Sequence, residues 1–407
     1  MPLETRNRVT CTGCALLCDD IAVDVQFGTI QAVHNACLRG SKKLLPHASK
    51  QLLKGPTIAG VAASFDDAIT EATRLITSAN RVVIAGGTHV TNEAAACLVH
   101  LATKIGATLA VPNHEVHLHL DRAIEARGID FFTLGEAVNN ADFVVFWGAN
   151  PIDLAPKLLV RTAFSRGRYR QSGKEVKKIA VIDDLPTPTM ERADIKVLVD
   201  NQDHARVLEL LQFALSGQGL ADPIVKDLAD SMQGAEYCTL FIGEGILNRQ
   251  FLHEHPAFLE DLLQLVRSRN EKHRAAMLPL FYPWNAAGLM HEVVNVAANI
   301  KCIDVEDLPS FLKKGDVVIA AGIDLASQWA GITTSMDATI PIISIDFKRT
   351  PTTDRSSVVL PSTAAGVDSD GCATRLDGTV IRLQPPVLHG AGRKTDAEIL
   401  REMLGRT

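Results

Sequence analysis

Cys11, Cys14 and Cys18 stand in the run Cys-Thr-Gly-Cys-Ala-Leu-Leu-Cys, and Cys37 follows a short distance on. Four thiolates this close in sequence can surround one iron-sulfur cube or one tetrahedral metal ion. Zinc ribbons usually offer two C-x2-C pairs, whereas here an x2 spacing runs into an x3 spacing, a pattern more typical of a 4Fe-4S cube. Zinc and vacant thiols remain as alternatives. Disulfides are the poorest reading, because no secretory leader precedes the cysteines and a reducing compartment is expected. Cys97, Cys238, Cys302 and Cys372 are scattered singly, and Cys97 shares helical spacing with Ala94, Leu101 and Ile105, as a core residue would.

The histidines carry a weaker signal. His114, His117 and His119 form H-x2-H-x-H, a spacing that admits a metal, but no cysteine or firm carboxylate partner adjoins them. Packed or surface imidazoles are the preferred reading. His253 and His255, in His-Glu-His-Pro, are expected in a loop before a helix that Pro256 opens. No G-x-S-x-G elbow occurs, so serine-hydrolase machinery is absent.

The cysteines need elements that bring the fourth sulfur back to the first three. Between Cys18 and Cys37, Ile21, Val23 and Val25 alternate with Ala22, Asp24 and Gln26, Gly28 makes a break, and Ile30 and Val33 resume. That alternation predicts a hairpin. From Ser64 a helix is expected, with Asp66 and Asp67 at its start and Ile69, Ala72, Leu75 and Ile76 on one face. Beyond it, apolar runs predict strands over Arg81 to Ala85, Asp142 to Trp147, Lys178 to Asp183, Cys238 to Ile242, Asp316 to Ala320 and Ile340 to Asp346. Such runs suit parallel strands covered by helices on both faces. Glycine-containing turns follow them, but no G-x-G-x-x-G does, so a nicotinamide cofactor has no fingerprint.

The chain also repeats itself. Asp142 to Gly148 followed by Asp153-Leu154-Ala155 reads like Asp316 to Gly322 followed by Asp324-Leu325-Ala326. Each copy continues to a strand ending in Asp183 or Asp346, then to Thr187-Pro188-Thr189 and Arg192, or Thr350-Pro351-Thr352 and Arg355. The economical explanation is α/β architecture with Rossmann-like parallel sheets in two related halves, preceded by a small iron-sulfur-type module. The expected domains are residues 1–55 for that module, 56–135 with 236–407 for an α/β domain, and 136–235 for an inserted Rossmann-like domain. The first copy is longer by a basic stretch, Ser165 to Lys177, read as a surface loop or, more sharply, a docking loop for an acidic partner.

With 407 residues, 46% of them hydrophobic, the chain can build two or three cores. A net charge of -6 gives no reason to expect nucleic acid. No apolar run reaches the ~18 residues that suggest a membrane span. A soluble, cytoplasmic protein is expected.

Cys11 to Ile21 together with Asn35-Ala36-Cys37-Leu38-Arg39-Gly40 resembles the cluster segment of the B subunit of formylmethanofuran dehydrogenase, of the molybdopterin oxidoreductases. The resemblance extends through Val358 to Pro361, Gly366, Asp368, Gly371, Arg375 and Asp377-Gly378, covering nearly the whole chain. It implies a 4Fe-4S cluster on the four cysteines, Lys42 or Lys43 near that cluster, and Asp183 and Asp346 where carboxylates could meet pterin-linked nucleotides. A solvated basic face and acidic strand caps are the plainer readings. Catalytic relatives hold tungsten or molybdenum through a Cys or selenocysteine in a Cys-His-Gly-Pro segment. Here the place reads Val111-Pro112-Asn113-His114, so Asn113 replaces the sulfur and His114 is vestigial. After Pro283-Trp284-Asn285 the long active-site segment is missing too, and the substrate Arg has no clear counterpart, Arg274 included.

These losses imply the version of the B subunit found in the bacterial formyltransferase/hydrolase complex of methanofuran- and methanopterin-linked formaldehyde oxidation. In that family an amidohydrolase-like A subunit releases formate, the D subunit transfers the formyl group and the C subunit completes the assembly. The expected role is a redox-inactive scaffold without molybdopterin or tungstopterin, bound to no nucleic acid or membrane. A catalytic tungsten or molybdenum protein interconverting CO2 and formate is the alternative, and a free-standing electron carrier a third.

Overall fold

Residues 2–45, 51–129, 131–217, 222–270, 273–281, 283–296, 300–328, 339–388 and 393–407 are described in the computed structural model. The first seven strands are β1 (Glu4–Val9), β2 (Ile21–Gln26), β3 (Thr29–His34), β4 (Thr57–Ile58), β5 (Val61–Ala62), β6 (Val82–Gly86) and β7 (Thr108–Val111). Next come β8 (Phe143–Trp147), β9 (Lys178–Asp183), β10 (Ile195–Leu198), β11 (Tyr237–Ile242) and β12 (Arg274–Pro279). The last are β13 (Cys302–Asp304), β14 (Val317–Ala321), β15 (Ile342–Asp346), β16 (Val358–Pro361), β17 (Gly371–Thr374) and β18 (Val380–Leu383).

The chain divides into two compact units, Met1–His114 with Pro283–Thr407, and Glu115–Tyr282. The first contains an eight-stranded sheet in the order β13-β7-β6-β14-β15-β16-β4-β5. It is parallel from β13 to β16, and β4 and β5 add an antiparallel edge. Val83, Ile84, Val318, Ile319 and Ile343 are all but fully buried, as strands covered on both faces must be. The helix Phe65–Ser78 packs here as its periodicity predicts, with Ser64 accepting from the Asp67 N–H and Ala68, Ile69, Ala72 and Ile76 buried. The second unit holds a parallel five-stranded sheet, β10-β9-β8-β11-β12. The fold is therefore α/β, with one mixed and one parallel large sheet. Among the described residues no helix is long and apolar enough to cross a membrane.

The expected boundary between residues 235 and 236 falls inside this second unit. β11 takes its hydrogen bonds from β8 on one side and β12 on the other, so the enclosed segment is wider than 136–235. The repeat has a clear local counterpart. β8 runs parallel to β9, and β14 to β15. Thr187 and Thr350 each cap the short helix that follows, with Pro188 or Pro351 in its first turn. Thr189 donates to Asn150 Oδ1 at 2.6 Å, and Thr352 to Asp324 Oδ1 at 2.7 Å.

The histidine expectations need one correction. His253 lies inside the helix Arg249–Glu254 and His255 is its C-cap residue. Asn248 Oδ1 accepts from the Phe251 N–H at 2.9 Å and starts that helix ahead of the histidines. The next helix, Phe258–Arg269, is preceded by Ala257, so Pro256 does not open it.

Candidate functional site

β1, β2 and β3 form an antiparallel sheet, and β2 and β3 are the hairpin that the alternation predicts. Ile21, Val23 and Val25 are buried while their neighbours are half-buried. Phe27 and Gly28 both take left-handed backbone angles, φ 51° and 71°, as a tight hairpin turn with right-handed strand twist requires. The cysteine loop joins β1 to β2. Cys11 N–H donates to Cys18 O at 2.8 Å and Leu17 N–H to Cys14 O at 3.2 Å. Thr12 Oγ1 donates to Ala365 O at 2.9 Å and Leu376 N–H to Ala15 O at 3.1 Å, which ties the loop to the C-terminal part of the same unit.

Past the hairpin, Cys37 precedes the helix Leu38–Leu44. The first turn of that helix abuts Cys11: a Cβ placed on Gly40 would lie 3.0 Å from the Cys11 sulfur. The fourth cysteine is thereby returned to the first. All four are free thiols; Cys11, Cys14 and Cys18 are buried and Cys37 is half-buried. Burial foremost, then the nearby Cys14 and Cys37, push the Cys11 thiol up to about 11, against the Gly13 N–H hydrogen bond and Lys43, which lower it. Apolar burial on this scale keeps a thiol protonated until a metal takes its place.

Among the described residues, no group of three or more His, Cys, Asp or Glu converges on a point that could hold a metal ion. Four free, largely buried thiols at this sequence spacing are consistent with an iron-sulfur cluster. For the histidines, the helix His114–Arg127 scatters the three. The His117 ring is buried 4.2 Å from Phe281, and that of His119 lies 5.7 Å from His253.

Beside Cys11 lies a group of charges that no spacing in the sequence signals. Lys42 is exposed, but Lys43 sits with its Nζ 4.4 Å from the centre of the Phe347 ring. Burial, then Lys348, lower its pKa, while Asp346, Cys11 and Asp396 act to raise it. His89, after Gly86-Gly87 at the end of β6, is pushed down to about 4 by burial, then by Lys43 and Lys348. Asp396 is pushed up to about 7, again by burial first. The resemblance pointed to Lys43 and Asp346, and Gly86-Gly87 marked the turn before His89, but nothing signalled His89, Lys348 or Asp396; a Cβ on Gly86 would stand 2.4 Å from Ala321 O.

The strand-end carboxylates are engaged with their own turns. Asp346 Oδ1 accepts from the N–H groups of Phe347 and Lys348 at 2.7 and 3.2 Å, and burial raises its pKa. In the second unit, Asp183 Oδ1 accepts from the Asp184 N–H at 3.0 Å. Burial, then the hydrogen bond with Asp184, push it up to about 6. Asn113 follows β7 with φ 59°, a left-handed conformation that Asn tolerates better than most residues. The next N–H, of His114, donates to Asp304 Oδ1 at 2.9 Å. Asn285 is buried as a clamp: its amide donates to Val90 O at 2.8 Å and accepts from Thr374 N–H at 2.7 Å.

A family model described as molybdopterin oxidoreductase matches residues 63–406. The B subunit of the tungsten-containing formylmethanofuran dehydrogenase 2 of Methanocaldococcus jannaschii is 25% identical, over 98% of this chain and 97% of its own. Its counterpart from Methanococcus maripaludis is 26% identical, over 99% of this chain and 98% of its own. Among solved structures, a chain of the formyltransferase/hydrolase complex of Methylorubrum extorquens, determined with methylofuran, matches with a TM-score of 0.68 and 17% identity. The match covers 86% of this chain and 98% of that one. Acetylene hydratase of Pelobacter acetylenicus matches with a TM-score of 0.63 and 10% identity, over 98% of this chain and 69% of its own. At these identities the structural likeness is one of fold.

Proposed function

The chain belongs to the molybdopterin oxidoreductase family, and on that premise we propose that it is a component of a formyltransferase/hydrolase complex, in the place of the formylmethanofuran dehydrogenase B subunit. It serves there as a scaffold whose redox site is degenerate, in methanofuran- and methanopterin-linked one-carbon metabolism. Full-length similarity to two such B subunits and the fold shared with a chain of a formyltransferase/hydrolase complex support the component. Asn113 carries the scaffold role. Where the resemblance expects a sulfur ligand, this chain has a neutral amide in a left-handed turn. An amide is a poor substitute for a thiolate on high-valent tungsten or molybdenum.

The residues present do not fit a catalytic pterin metal, so no step is derived through one. That misfit rests on Asn113; Asp183 and Asp346, the candidate nucleotide contacts, each accept from their own turns through Oδ1. The cysteines fit a 4Fe-4S cluster, which Cys11, Cys14, Cys18 and Cys37 would hold. When bound, it supplies positive charge that turns buried thiols into thiolates and cross-links β1, β2 and the helix after Cys37. The chain's own part is to present that stapled module and two α/β units to the A, C and D subunits.

Coexpression of a tagged chain with the A, C and D subunits tests this. A stable complex with formyl transfer and hydrolysis but no formate oxidation is expected. A chain that purifies alone, with reversible redox chemistry, would instead be an electron carrier. The names of the two tungsten-containing relatives favour a second reading, a catalytic protein interconverting CO2 and formate. Formate oxidation that depends on tungsten or molybdenum would establish it.

A further inference from the structure

We propose that the basic segment Lys157 to Lys178 of the second unit is a docking surface for an acidic-faced partner protein of the complex, an inference that rests on the function proposed above. The segment contains the extra length of the first repeat copy, Ser165 to Lys177, and it is firmly held. A Cβ on Gly167 would lie 2.1 Å from Val138 O, and one on Gly173, at φ 60°, 2.7 Å from Phe164 O. Tyr169 N–H donates to Asn139 O at 3.2 Å, and Arg170 Nε to Asn140 O at 2.9 Å. Arg170 pairs with Glu236, and Lys174 with Asp194. Lys177 is 2% exposed, its Nζ donating to Val138 O and Thr162 O, both at 2.7 Å.

A surface loop so tightly anchored would be expected to turn its apolar groups inward. Leu158, Leu159 and Ala163 follow that rule, but other apolar side chains of the segment stay in solvent. Tyr169 is 65% exposed, Val160 54%, Val176 43% and Phe164 38%. The helical turn Val160–Phe164 touches the turn Gly173–Val176, so Val160, Phe164 and Val176 belong to neighbouring parts of one surface. Glu175 is the sole acidic residue between Lys157 and Lys178. Arg166 and Arg168 are exposed and pair with no carboxylate among the described residues, and Arg168 lies 5.7 Å from the Tyr169 ring centre.

Exposed Tyr and Arg match the composition of interface hot spots, and the same segment also exposes Val160, Phe164 and Val176. Because the backbone is already fixed, little ordering entropy opposes binding. These two guanidiniums select an acidic rim. A protein partner fits better than a polyanion, because the whole chain is net negative at -6 and the exposed apolar groups of the segment outnumber these two cations.

The test uses the full chain coexpressed with the A, C and D subunits. Arg166→Glu with Arg168→Glu, and separately Tyr169→Ala, should each weaken assembly by about tenfold or more. Wild-type assembly should weaken with salt, and the double variant should show a shallower salt dependence. Unchanged melting of the variant chain alone shows that its fold is intact, and Val176→Asp is an independent probe should either variant melt early. If the wild type assembles and all the variants assemble equally well, the docking surface is wrong and the complex stands. If the wild type does not assemble with its three partners, both proposals fall. Normal assembly of the variants with loss of binding to poly(U) RNA or phosphatidylserine vesicles would also overturn the proposal.

Discussion

Asp396→Asn should make the protein progressively more stable relative to wild type as pH rises from acid to neutral. Asp396 opens the helix Asp396–Arg406 and is 7% exposed. Burial raises its carboxyl from 3.8 to about 7; Asp346 and Asp368 add to the rise, while the Ser362 hydrogen bond and Lys43 oppose it. For an acid raised in the folded state, the native chain keeps a proton that the unfolded chain has released. The stability is fully present below ~3.8 and is lost as pH climbs to ~7. At ~1.4 kcal/mol per pH unit the loss is ~4 kcal/mol at most. Favourable interaction with the helix N-terminus opposes part of it, leaving about 2–4 kcal/mol. Asn does not titrate, so the variant escapes this loss. Urea unfolding of both proteins at about pH 4.5 and about pH 8 reads the difference. A stability difference between variant and wild type that stays the same at both pH values would refute the reasoning.

Cys14→Ser should lower the melting temperature of the anaerobically purified protein by several degrees and reduce the yield of complex, since it removes a ligand from a staple on a small module; unchanged melting and yield would sink the stapling role. His204→Leu strands a buried donor, because Trp147 Nε1 donates to His204 Nδ1 at 3.1 Å and both residues are fully buried. A loss of ~1–3 kcal/mol in urea unfolding is expected. Burial lowers the pKa of His204, so its contribution is present above the usual imidazole range and lost as pH falls below it. Asn113→Ala should cost ~1 kcal/mol through the left-handed backbone, whereas Asn113→Gly should be nearly neutral. Calorimetry measures both, and formyl transfer by the complex should be the same in each.

Strands with near-continuous β-branched and aromatic runs were legible to within a residue or two, as at Lys178–Asp183 and Phe143–Trp147. β12, Arg-Ala-Ala-Met-Leu-Pro, and the short β7 and β13 carry no such run. Their strand state comes from parallel partners, a tertiary effect that overrides weak propensity. The Cys11-to-Cys37 hairpin was legible because alternation and a turn glycine agree. The helix at Arg249–Glu254 was missed because its signal is the Asn248 cap, while His-Glu-His-Pro drew attention to the wrong residue. The charges around Lys43 were hidden for a different reason. His89, Lys348 and Asp396 are far apart in sequence: His89 and Lys348 follow β6 and β15, which flank β14 in the eight-stranded sheet, and Asp396 opens the helix Asp396–Arg406. At Asn113 the residue type spoke for itself, but its left-handed turn did not.

The central claim is a scaffold that keeps its cysteine-held cluster and has lost the pterin metal. Elemental analysis for iron, sulfide, zinc, tungsten and molybdenum, on the tagged chain purified anaerobically with its partners, tests it most directly. The account predicts about four irons per chain with neither tungsten nor molybdenum. Tungsten or molybdenum approaching one atom per chain would contradict it and make Asn113 part of a working dehydrogenase.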